Sequence, residues 1–74
     1  MIRVTELRVP PAAAELAADR LWAAGAGAVE EAADGDVAVL RSVLAGDDAV
    51  SLQRLGRLPG EWEVRFVDQN PTPL

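Results

Sequence analysis

Apolar and polar residues alternate with a period of two at both ends of the chain. Near the start, Thr5, Leu7 and Val9 alternate with Glu6 and Arg8, which predicts a strand over Met1 to Val9. Near the end, Trp62, Val64 and Phe66 alternate with Glu61, Glu63 and Arg65, which predicts a strand over Glu61 to Val67. Between them the period changes. From Ala12 to Ala24 the positions Ala13, Leu16, Ala17, Leu21 and Ala24 share one helical face, with Glu15 and Asp19 opposite. Pro10 and Pro11 open this helix, because proline is tolerated in a first turn, and Gly25 is placed to stop it in a left-handed conformation. Ala28 to Ala33 reads as a short edge strand with Val29 as its core residue. Asp34-Gly35-Asp36 is a tight-turn signal, and Val37 to Leu44 is an almost wholly apolar, central strand. Gly46-Asp47-Asp48 supplies a turn and an acidic helix start. A second helix carries Val50, Leu52, Leu55 and Leu58, is weakened by Gly56 and is stopped at Pro59-Gly60.

The order strand, helix, strand, strand, helix, strand predicts an α+β fold, the ferredoxin-like βαββαβ sandwich. Right-handed crossovers put both helices on one face of a four-stranded antiparallel sheet. The other face is left open, with Glu6, Arg8, Glu63 and Arg65 on it. Residues 1–68 form one domain on this reading, and residues 69–74, Gln-Asn-Pro-Thr-Pro-Leu, a linker or disordered tail.

Composition narrows the function. The 74 residues carry a net charge of −5, and all 7 cations are Arg. That balance argues against a nucleic-acid binder, which needs a basic face to neutralise phosphates. With no Cys there is neither a disulfide framework nor a thiolate metal site, which fits a cytoplasmic protein. No apolar run approaches the ~20 residues that span a membrane, and the first residues lack the layout of a signal peptide.

Candidate catalytic chemistry is sparse. Ser42, Ser51, Thr5 and Thr72 have no His to activate them, so no catalytic residue is assigned. Asp34, Asp36, Asp47 and Asp48 suit turns and caps; they lack the spacing of a calcium loop, and no metal ligand is assigned. Gly25-Ala26-Gly27 follows a helix rather than preceding one, the reverse of a phosphate loop. What remains is contact chemistry. Trp62 reads as core, whereas Trp22 lies beside Ala18 at the margin of the apolar stripe and is a candidate contact residue. Glu30 and Glu31, neighbours in a strand, point to opposite faces and cannot chelate one ion together. Trp22, Glu30, Glu31, Glu63 and Arg65 are the candidate partner-binding residues, chosen for exposure rather than for a motif.

Leu7-Arg8-Val9, Leu21 through Gly25-Ala26, and Gly27-Ala28-Val29-Glu30-Glu31 resemble the N-terminal domain of the PrmA family, the methyltransferases of ribosomal protein L-eleven. A Gly-Ala, a spacer and a Val-Glu-Glu at this place are usual for that domain. The chain departs from the pattern in having no Trp after Trp62. The resemblance implies a substrate-recognition module without the methyl-transfer machinery. It also implies a basic ribosomal protein as partner, and S-adenosylmethionine held by a separate catalytic domain. A monomer is expected. The alternative from the same topology is an ACT-like regulatory module that binds a small ligand as a dimer.

Overall fold

The computed structural model describes residues 2–69. Its elements are β1 (Ile2–Val9), a 3-10 turn (Pro11–Ala13), α1 (Ala14–Ala23), β2 (Glu30–Asp34), β3 (Val37–Ser42), α2 (Asp48–Leu55) and β4 (Glu63–Gln69). The antiparallel sheet has the order β2-β3-β1-β4, and both helices cover one face, the ferredoxin-like α+β arrangement expected from the sequence. The two central strands are β3 and β1; β2 and β4 are the edges.

Alternation along the strands sorts side chains by face. Leu7 and Val9 of β1 and Ala38 and Leu40 of β3 meet Ala14, Ala17, Leu21 and Ala24 of α1 and Leu55 of α2 in one apolar cluster. Leu7 and Leu40 are register partners across the two central strands, and both are wholly inaccessible. Val64 of β4 and Trp62, which lies just before the strand because β4 begins at Glu63 rather than at the expected Glu61, pack against the same cluster.

Glycines end both helices. The Gly25 N–H donates to the carbonyl of Trp22 and the Ala26 N–H to that of Leu21, each at 3.0 Å, with Gly25 at φ +101°. This paired closure needs a left-handed residue at Gly25 and tucks Ala26 beneath Leu21. The second helix ends at Leu55 with Gly56 (φ +74°) as its cap, short of the expected stop at Pro59-Gly60, so Gly56 terminates the helix rather than weakening its interior. At its start the Asp47 carboxylate accepts the Val50 N–H at 2.9 Å. Asp47→Ala is expected to lower stability by about 1 kcal/mol, with Asp47→Asn close to wild type, in urea denaturation.

Three sequence expectations are corrected. Leu16 is 63% exposed, and Ala14 takes the core position in its place. The 3-10 turn at Pro11–Ala13 delays the α-helical start, and an alanine-rich stripe fixes the rotation of the helix only weakly. Leu52 is exposed while Ser51 is buried with Leu55 on the inner face of α2. The second strand begins at Glu30 rather than Ala28, because the Ala28 carbonyl is held by the Ser42 hydroxyl at 2.9 Å. At the far end, β4 continues through Gln69; the rest of the expected tail, 70–74, and Met1 lie outside the described residues.

Candidate protein-binding surfaces

The face not covered by helices is organised in rows that run across the strands. One row is Glu30 (β2), Arg41 (β3), Glu6 (β1) and Arg65 (β4), joined by the register pairs Glu30↔Arg41, Glu6↔Arg41 and Glu6↔Arg65. The signs alternate across the whole sheet. Glu6, on a central strand, is only 5% exposed despite its charge. Its carboxylate accepts from Arg8 Nη1 at 3.2 Å and from Arg41 Nε at 3.3 Å, so the buried charge is paired on both sides. The open face therefore carries Arg8, Glu63 and Arg65 in solvent or partly so, as expected, but Glu6 is buried on it.

Arg8 has a second role. Its side chain crosses β3 and donates through Nη2 to Asp34 on the edge strand at 2.5 Å. That span passes over Val39, which is only 3% exposed although no helix covers it. The aliphatic stem of an Arg covers apolar surface in this way while its head stays solvated. The guanidinium beside Asp34 holds that carboxyl below the usual carboxylate range, and Asp34 together with Glu6 raises the Arg8 pKa above its ordinary value. On β4, Arg65 turns along its own strand to Glu63, with Nε at 2.6 Å from the carboxylate.

The end of this face nearer Ile2 is apolar. Ile2, Val43 and Val67 are exposed there around Val4. A cavity of about 440 Å³ opens beside them, lined in part by Ile2, Val4, Ala28, Arg41, Val43 and Gln69. Below the sheet at this end, Arg3 clamps β1 to α2 and β4. It donates to Asp48 (3.0 Å through Nε) and to Asp68 (2.9 Å through Nη1) and lies 5.9 Å over the Phe66 ring. The Asp48 carboxyl is held below its usual range by that guanidinium.

A second surface lies on the flank formed by β2 and α1. Arg20 donates to the Leu55 carbonyl at 3.3 Å, so that side of α1 faces α2. Trp22, two residues on and about 200° round the helix, lies on the side away from α2 and is 50% exposed. Glu31 is on the helix-covered side of β2, opposite Leu40, and lines a shared hollow with Ala14 of α1. Glu15 and Asp19 extend this flank outward, and Asp36 sits in the hairpin turn at its tip; all are exposed. Among the described residues, none of Glu15, Asp19, Glu30, Glu31 and Asp36 has an ion-pair partner, whereas Glu6, Asp34, Asp48, Glu63 and Asp68 do.

The five residues chosen from the sequence are thus divided. Glu30, Glu63 and Arg65 belong to the open face, while Trp22 and Glu31 belong to the acidic flank. Sequence reasoning missed Arg41 and the apolar group Ile2, Val4, Val43 and Val67. Arg41 sits inside an apolar strand, and its place in the charged row depends on register with two other strands. Among the described residues there is no cluster of three or more potential metal ligands, and no helix is long and apolar enough to cross a membrane. Comparison with known protein families, with characterised proteins and with solved structures gives no match.

Proposed function

We propose that the chain is a cytoplasmic protein-recognition domain of the kind that precedes the catalytic domain in PrmA-like methyltransferases, and that it takes a basic ribosomal protein. The observation that supports this is the division of charge. Arg8, Arg41 and Arg65 are engaged on the open face, Arg3 at its clamp, and Arg20 and Arg54 beside α2, whereas Glu15, Asp19, Glu31 and Asp36, which have no ion-pair partner among the described residues, gather on the β2–α1 flank. An acidic flank with a half-exposed Trp attracts a basic protein and offers it an aromatic anchor. In this reading the domain supplies no catalytic group and no contact to S-adenosylmethionine; both belong to the catalytic domain.

Glu31 is the residue to test, because it faces away from the charged row of the open sheet. Titration of the labelled domain with ribosomal protein L-eleven at low salt is expected to shift resonances of the flank. Glu31→Lys is expected to weaken binding roughly tenfold, about 1.4 kcal/mol. No binding by the wild-type domain, or equal binding by the variant, rejects the reading.

A further inference from the structure

We propose that the open sheet face is a homodimer interface, closed by a second copy related by a two-fold axis that lies between the sheets, parallel to the strands. Such an axis exchanges β2 with β4 of the second copy, and β3 with β1. The charged row reads minus, plus, minus, plus from β2 to β4, so it is antisymmetric about the middle of the sheet. Under this rotation Glu30 of one copy faces Arg65 of the other, and Arg41 faces Glu6. Every charge of the row meets its opposite. The other in-plane two-fold, perpendicular to the strands and centred on the row, would set each charge against its own kind, so the row selects one of the two stackings.

Two further features point to a second copy. Glu30 has no ion-pair partner in its own chain among the described residues, and the rotation brings Arg65 to it. Beside the row, the same operation stacks Val43 on Val4 and lays Val67 toward Ala28, so that exposed apolar groups meet apolar groups. Ile2, Val43 and Val67 are half of the large hydrophobics exposed on the described surface, and all three lie at this end of one face. Aligned sheet-on-sheet packing is an ordinary way to bury such a face. At ~4.8 Å between strands and ~3.3 Å per residue, a face four strands wide and seven residues long covers roughly 450 Å² per copy. At roughly 900 Å² in total that lies below the standard size of specific interfaces and in the range of weak, transient ones, so the dimer is a reversible one with Kd on the order of 100 micromolar. The inference departs from the monomer expected above and does not depend on the methyltransferase reading.

Sedimentation equilibrium of the full chain tests it. The mass is expected to rise with concentration toward twice 7.8 kDa. Glu30→Arg and Arg65→Glu each set like charges face to face, at two symmetric places, and are expected to raise Kd by roughly 100-fold. An equimolar mixture of these two variants is complementary again and is expected to form a heterodimer at wild-type concentrations. Restored association also proves that both variants fold. Val43→Asp, which buries a charge only in the dimer, is a second disruptor. The proposal is overturned by a wild-type chain that stays monomeric at about 1 mM. It is equally overturned by single variants that dimerise like wild type, or by a mixture of the two that does not associate.

Discussion

Leu21→Ala is expected to lower the free energy of unfolding by about 3 kcal/mol, and Leu16→Ala to change it by less than about 0.5 kcal/mol. The two substitutions are chemically identical and lie on the same helix, α1. Leu21 is wholly buried between the sheet and the glycine-capped end of α1, whereas Leu16 is 63% exposed. Alanine is the better helix former, so neither change costs helix propensity and the difference isolates packing. The effect at Leu21 is large relative to the whole. A chain of this length has a total stability of about 4–11 kcal/mol, and small domains sit toward the lower end because they bury a smaller share of their surface. A loss of about 3 kcal/mol corresponds to a melting temperature lower by roughly 15 °C. Urea denaturation of both variants at a concentration where the chain is monomeric decides the matter; equal losses would mean that α1 is rotated from the orientation described.

Glu6→Ala is expected to cost about 2 kcal/mol, against less than about 0.5 kcal/mol for Glu63→Ala. Both residues are glutamates on the open face, and both pair with Arg. The Glu63–Arg65 pair is more than half exposed on each side, so solvent screens it and its geometry is held only loosely. Glu6 is desolvated beneath two guanidiniums. Its removal leaves Arg8 and Arg41 crowded without their counter-charge, and takes from Arg8 one of the two anchors that hold its stem over Val39. The partial exposure of Arg41 keeps the cost below that of a fully buried pair. Comparing Glu6→Ala, Arg41→Ala and the double variant by chemical denaturation gives the coupling directly. A coupling near zero would mean that the buried carboxylate is stabilised by something other than Arg41.

These two contrasts mark the limits of what the sequence carries. The faces of β4 were readable because Val64 and Phe66, with Trp62 just before the strand, are large and alternate with charges, so only one orientation buries them. The C-terminal end of α1 and the β2–β3 turn were readable because Gly25 and Gly35 occupy positive-φ positions that few other residues tolerate. The rotation of α1 was not, since the four alanines along it give almost equal burial at several angles. Glu6 was assigned to the correct face but not to its buried state. The groups that bury it are Arg8, two residues away, and Arg41, which only the β1–β3 register brings alongside. The same holds for the candidate surfaces. Exposure marked Glu30 and Arg65 individually, but the alternating row that unites them exists only across four strands.

The register at the outer end of β1 has a consequence for the engineering of this fold. Ile2 stands opposite Gln69 in the antiparallel β1–β4 ladder, so the two ends of the described chain are cross-strand neighbours, about 5 Å apart. A host polypeptide that enters at Ile2 would leave beside its point of entry, and the domain could be spliced into a surface loop without prising that loop apart. A short linker across the same gap, with new ends cut in the Gly35-Asp36 turn, would give a circular permutant that keeps all four strands in their present order.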